Sequence, residues 1–281
     1  MKHMFKRVVV LINDINKIDD LLKKGVEFSK QHNKTLEVLF VQEKATNSLL
    51  DYFLSSHSKR YTSLDKDSLK EKIQKHIQQL DANLKSEIFI TEENILKVVS
   101  THAKECKDIL FITNYNKYLS QKLLKKTPYS YWIFKNSSLT YNNIVLPIEL
   151  SDDVTDDIKL TKDIFPKSSI GIVHDYRYMI PRVNSDGSAV IVPVIGNIDK
   201  ELHHKTRAKH KSIFNNYKKK FNVDGDFIEE KRGLNKDLIN YIKNRDTDLV
   251  VIHHHEEVMF VPSLTFNLLD KVSSNFLVLN S

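Results

Sequence analysis

Three consecutive histidines, His253, His254 and His255, close a short apolar run, Leu249 to Ile252, and lead directly into Glu256 and Glu257. Neutral imidazole and carboxylate are ligand types that Zn2+ and related ions take, so "DLVVIHHHEE" reads first as a metal site. If the apolar run is a strand, side chains alternate faces, with His253 and His255 on one side and His254 on the other. The plainer reading makes all three strand-end residues in a polar loop. Their internal position argues against an affinity tag. Two further groups matter: His174 ends the apolar run of "SSIGIVHDY", and His203 and His204 open the polar stretch "HHKTRAKHK". No H-x-x-x-H helix pair and no C-x-x-C accompanies them. No serine, cysteine or acid partner stands at a spacing that specifies nucleophile–base chemistry, so the chain is expected to be non-enzymatic.

The single cysteine, Cys106, lies in "THAKECKD" between Lys104 and Lys107. Two nearby lysines would favour its thiolate, whereas burial would make it an inert small side chain. One cysteine excludes an internal disulfide framework and cysteine-based zinc fingers, and fits a reducing cytoplasm.

The elements that must position these residues are legible as alternating apolar runs and amphipathic stretches. "RVVVLI" (7–12) is a short β-branched run, expected as a buried strand. A helical stretch follows, with Ile18, Leu21, Leu22, Val26 and Phe28 near one face. "TLEVLFV" (35–41) is a second strand. A polar connection leads to a helix over about 64–84, striped by Leu69, Ile73, Ile77, Leu80 and Leu84. "SEIFI" is a third strand, and the helix after it is expected to open on a capping box at Thr91 with Asn94 in the third position. "DILFIT", the short helix "YLSQKLLKK" and the strand "SYWIFK" complete the set, with Trp132 expected in core or interface packing. From "NNIVLPI" (142–148) the same order recurs. It includes an acid-rich first helical turn in "SDDVTDDIKLTKDIF" and a long connection over 177–200 that holds the turn signal "NSDGS". The last helix, in "PSLTFNLLDKV", is expected to start at Pro262. The repeat is about 140 residues long in a chain of 281. Strands alternating with helices imply parallel sheets with helices on both faces. The boundary falls near "NSSLTYN", giving domains 1–138 and 139–281.

Charge is unevenly spread. Residues 1–140 carry 24 Lys+Arg against 16 Asp+Glu, a net +8, and residues 141–281 carry 19 against 20, a net −1. The basic half interleaves lysines with acids along helical stretches, and its arginines are only Arg7 and Arg60. Bidentate phosphate and base contacts call for arginine, so nucleic acid is not the expected partner. No apolar run approaches the ~20 residues needed to cross a bilayer. The five-residue apolar run after Arg7 is too short for a signal-peptide core, and a cytoplasmic location is expected.

The repeat resembles the universal stress protein family. "NIVLPIELSD" and "RVVVLIND" look like that family's opening strand, "GIVHDY" like its second strand, and "NKDLINYIKNRDTDLVVI" and "ILKVVSTHAKECKDILFI" like its later helix and fourth strand. "SLTFNLLDKVSSNFLVLN" is similar to its last helix and fifth strand. The resemblance implies an α/β fold of two tandem Rossmann-like doubly wound domains, each a five-stranded parallel sheet in the order 3-2-1-4-5. It implies a stress-response role and association through the fifth strands, as a homodimer or as an internal pseudo-dimer bringing "SYWIFK" near "NFLVLN". In that order the ends of strands one, two and four share a rim, so His174, Glu149, His253 and His255, with His203 beside them, form the candidate metal set.

Some members of the family hold ATP where the strand order reverses, on a G-x-x-G and G-[ST] segment directly after the fourth strand. Glycine lets backbone N–H groups approach phosphates, and a helix N-terminus adds a positive dipole end. Neither half keeps this cradle. Thr113 and Asn116 stand at the glycine positions of the first half, with Ser120 matching the later serine. In the second half His253 and Glu256 stand there, and Pro262-Ser263 replaces Gly-Ser. The acid ending the family's first strand is Asn13 in one half and Glu149 in the other. None of the six glycines of the chain lies in either loop. Glu149, Glu256 and Glu257 would repel a triphosphate inside one unscreened crevice. The expected ligand positions are therefore Asn13, Thr113, Ser120, Glu149, His253 and Ser263, serving a small ligand, metal or protein partner. ATP in the usual family mode is not expected; an ATP-binding member with weak ATPase activity and a metal-binding second domain are the alternatives.

Overall fold

A computed structural model describes residues 5–43, 65–104, 106, 108–177, 179–183, 189–193, 200–229, 235–254 and 264–280. By its contacts the chain divides into two compact units, His3–Ser137 and Ser138–Ser281. The first unit is built on strands β1 (Arg7–Ile12), β2 (Leu36–Val41), β3 (Ser86–Thr91), β4 (Ile109–Asn114) and β5 (Ser130–Phe134). They run parallel in the order β3-β2-β1-β4-β5. Central strand β1 is apolar because both its faces are covered: Val8 to Ile12 have no exposed surface. Helix α1 (Ile18–Gln31) buries Leu21, Leu22, Val26 and Phe28. Gly25 permits its close approach to the sheet, since a Cβ there would lie 2.3 Å from Val10 Cγ2.

Helix α2 (Lys66–Leu80) buries Leu69, Ile73 and Ile77, as its spacing predicts, but it stops before Leu84. Asp81 leaves helical geometry at φ −156° and ψ 109°. Its carboxylate accepts from the Asn83 N–H at 2.9 Å and pairs with Lys30 at 2.9 Å. A short acid that can bond the backbone two residues on favours a turn over one more helical turn. The start of α3 (Ile95–His102) also differs from expectation. Thr91 belongs to β3, and Asn94 is the cap. Asn94 Oδ1 accepts from the N–H groups of Leu96 at 3.1 Å and Lys97 at 3.3 Å, and Glu43 Oε1 accepts from Ile95 N at 2.8 Å. Asn94→Ala should cost about 1 kcal/mol in urea unfolding, as loss of a side-chain cap does. Thr91→Ala should be nearly silent in the same measurement, and the reverse ranking would restore the capping box at Thr91. The short helix α4 (Lys117–Lys126) leads into β5, whose Trp132 is 1% exposed and meets Phe28 edge-on at 5.6 Å.

The second unit repeats the plan with β6 (Asn143–Pro147), β7 (Ser169–Tyr176), β10 (Asp224–Glu229), β11 (Leu249–His253) and β12 (Asn275–Leu279). These strands lie in the order β10-β7-β6-β11-β12, again parallel and again 3-2-1-4-5. Helices α5 (Thr155–Ile164), α6 (Lys200–Phe221), α7 (Lys236–Lys243) and α8 (Leu264–Lys271) cover the sheet on both faces. The connection expected over 177–200 is more than a loop. It holds an antiparallel pair, β8 (Met179–Val183) and β9 (Ala189–Pro193), in which Met179 faces Pro193 and Val183 faces Ala189. The turn signal "NSDGS" lies between these strands, outside the described residues, as does Pro262. Among the described residues no helix is long and apolar enough to cross a membrane.

Candidate functional site

The carboxyl ends of β6, β7 and β11 enclose a cavity of about 560 Å3 in the second unit. Each wall follows from a local feature of sequence. Strand β6 ends at Pro147, and Ile148 continues one bond further by donating its N–H to Val173 O at 2.8 Å. Glu149 follows on the exposed rim. His174, next on β7 and 3% exposed, donates from Nδ1 to Ile148 O at 2.9 Å, because a carbonyl can only accept. The other ring nitrogen, Nε2, is buried without a partner. His253 ends β11 and its Nδ1 meets Asp157 Oδ2 at 2.9 Å; Asp157 sits in the first turn of α5.

His253 and His254 take opposite sides at the end of β11, as alternation predicts for that pair. His253 lines the cavity. His254 is buried against α8, with Nδ1 3.4 Å from Thr265 Oγ1 and its ring 5.7 Å from that of Phe266. His255 and Ser263 lie outside the described residues. His203 does not line the cavity; its ring lies 5.6 Å from that of Tyr176. Among the described residues no three His, Cys, Asp or Glu side chains gather in a way that could hold a metal ion. Glu149, His174 and His253 thus share a cavity, yet two of the three have ring nitrogens already engaged by Ile148 and Asp157.

Several lining groups carry no sequence signal. Asp175 pairs with Arg177 at 2.9 Å, and Arg177 also bonds Asn235 Oδ1. Burial raises the Asp175 carboxyl above the ordinary aspartate range, and Arg177 offsets only part of that. Asn235 precedes α7 in a left-handed conformation, φ 63°, and its side chain makes no capping bond. His210 reaches in from α6. Its Nδ1 has no partner, its ring lies 5.7 Å from that of His174, and burial, then His174, pull its pKa below the ordinary imidazole value. Arg177 and Asn235 are 58 positions apart and Asp157 and His253 are 96 apart, so only the fold brings these residues together.

The corresponding strand ends of the first unit look different. Thr113 is 1% exposed, and Asn13 Oδ1, Thr113 Oγ1 and Asn114 Oδ1 are buried without partners. Ser120 is turned inward: its hydroxyl accepts from Asn116 N at 3.3 Å while its own N–H donates to Asn116 O at 2.7 Å. Asn116 in turn caps α4 through Leu119 N at 3.0 Å. The serine of the first half that matches the family's pattern is therefore used within the helix start. Cys106 is a half-buried free thiol.

The sequence matches no known family model and no curated protein. Solved structures are similar over nearly the whole chain. One, a Pseudomonas aeruginosa protein of unknown function, has a TM-score of 0.69 at 11% identity, covering 98% of this chain and 92% of that one. A putative universal stress protein of Pseudomonas aeruginosa gives 0.64 at 13% identity over 98% and 93%. A universal stress protein of Archaeoglobus fulgidus gives 0.60 at 12% identity over 99% of each chain. The fold is that of the universal stress proteins. On a universal stress protein fold the cavity falls at the point where strand order reverses, β6 lying between β7 and β11, which is where doubly wound sheets take ligands.

Proposed function

We propose that this chain is a universal stress protein-like stress-response protein that works without catalysis, by binding a small ligand other than ATP in the crevice of its second half. The observation that carries this reading is the cavity of about 560 Å3 at the switch point, with Glu149 on its rim and Asp157 in its wall. Its volume lies within the range of small-molecule sites, roughly 300–1,000 Å3. Phosphates would meet carboxylates there, and the sequence that follows β11, "HHHEEVMFVPS", has no glycine to open a backbone cradle. The free thiol of Cys106 fits a reducing cytoplasm as the working compartment.

Native mass spectrometry of untagged protein, with nucleotide analysis of the heat-denatured supernatant, tests the reading. Neither ATP nor ADP should accompany the protein, and added ATP should leave its mass and melting temperature unchanged. Near-stoichiometric adenine nucleotide would overturn it in favour of an ATP-binding member with weak ATPase activity.

A further inference from the structure

The polar groups that the cavity leaves unanswered point to the chemistry of its occupant. Five carboxylates line it among the described residues, Glu149, Asp152, Asp153, Asp157 and Asp175, against one fixed cation, Arg177. Arg177 is engaged with Asp175 and Asn235 inside the wall, so it neutralises its own neighbours first. Glu149, Asp152 and Asp153 are exposed, which makes the rim acidic. Glu149 Oε1 accepts from the adjacent Leu150 N–H at 3.2 Å.

Deeper in, His174 supplies an independent sign. Because its Nδ1–H is committed to Ile148 O, Nε2 of the neutral ring is a bare acceptor. That nitrogen and Asp175 Oδ1 are both buried without partners in the cavity wall. Buried acceptors left unmatched carry a desolvation cost that a donor removes. Acceptors inside and carboxylates at the rim together suit a donor-rich positive group and repel an anion.

We infer that the second-half cavity takes a small organic cation with several N–H donors, an alkylamine or guanidinium compound. This rests on the crevice being the ligand site, as proposed above, and adds the class of ligand. The charged head sits against Glu149 and Asp157, and an N–H answers His174 Nε2. The carbon chain lies on the apolar wall of Leu146, Val251 and Leu238.

Isothermal titration of the full chain with agmatine and with putrescine, and with ATP and inorganic phosphate as anionic counterparts, tests this. One of the two amines should bind once per chain and the anions should not. Glu149→Gln, an exposed position whose substitution leaves the core intact, should weaken amine binding about tenfold, as loss of one charge-assisted bond does. His174→Gln should weaken it by a similar factor, with a melting curve showing that the variant is folded. Amine binding that neither substitution changes would overturn the assignment, and so would the absence of amine binding at millimolar concentration. If the amines fail while native spectra show another adduct that His174→Gln removes, the cation class falls and the crevice stands as the ligand site. ATP binding that Glu149→Gln strengthens would overturn both.

Discussion

Gly225→Ala is expected to strip the edge strand β10 from the second sheet. Gly225 pairs with Ile172 in that ladder and adopts φ +149°, a conformation that L side chains rarely take. An added Cβ would lie 1.9 Å from Ile172 O and 2.8 Å from Ile172 C, both backbone atoms of β7. A flexible side chain could move aside, but the neighbouring backbone cannot move without breaking its own bonds to β6. The cost should be roughly 3 kcal/mol or more, combining backbone strain with overpacking. Hydrogen exchange should show faster exchange of the 224–229 amides before any change in β1, and the second unit should melt earlier. A variant with unchanged β10 protection and melting temperature would refute this account.

The consequence reaches the cavity through Phe227. Its ring stacks on Tyr176 at 5.5 Å and lies 5.4 Å from that of His174 and 5.9 Å from that of Phe214. β10 is therefore part of what holds the His174 ring in place, and Gly225→Ala should weaken ligand binding without touching any lining residue.

The fold was legible wherever one physical signal dominated. β1, β4 and β11 are built on the apolar runs 8–12, 109–112 and 249–252, which in a parallel sheet covered on both faces is what burial demands. Boundaries were less legible where two local signals competed. Thr91 and Asn94 both have capping chemistry, and β3 extends far enough to claim Thr91 for its ladder with Val41. Leu84 continues the apolar stripe of α2, but Asp81 and Asn83 close a turn before the helix can reach it. The hairpin β8–β9 had its signal in "MIPRV" and "AVIVP" on either side of "NSDGS". Pro181 and Arg182 weakened that signal, since proline removes a ladder donor.

The site was half legible for a different reason. Strand-end residues follow from the order 3-2-1-4-5 alone, which sets the ends of β6, β7 and β11 side by side and so puts Glu149, His174 and His253 on one rim. Their partners come from elsewhere in the fold. Asp157, 96 positions from His253, could be read as a helix-start acid but not as its hydrogen-bond partner. His210 lay in a stretch dense with lysine, where nothing distinguishes an inward histidine from a solvated one. Ser120 shows the converse: it matches the family pattern, yet its bond to Asn116 gives it a local structural role.

Glu37→Gln should produce the largest pH-linked loss of stability in the first unit. Glu37 is 8% exposed on β2, where an unpaired carboxylate would be costly. Arg7 answers it with two bonds, Nε to Oε1 at 2.7 Å and Nη2 to Oε2 at 2.5 Å, and His102 Nε2 donates to Oε2 at 2.7 Å. Arg7 also donates to His102 O at 3.0 Å, closing the group between β1, β2 and the end of α3. Burial alone would raise the carboxyl pKa, but the bonds from Arg7 and His102 outweigh it and hold it at about 2, well below the ordinary glutamate value of 4.5. A depressed acid contributes stability above its unfolded pKa and loses it as pH falls toward its folded pKa. The difference between wild type and Glu37→Gln should thus be full at neutral pH and shrink as pH falls from about 4.5 to about 2. Its size at neutral pH should be about 3 kcal/mol, because the substitution leaves the Arg7 charge without its counter-ion. Urea unfolding from neutral pH to pH ~3 checks the window. A difference that stays constant across it would mean that the group holds the strands by shape alone, with the charge on Glu37 contributing nothing.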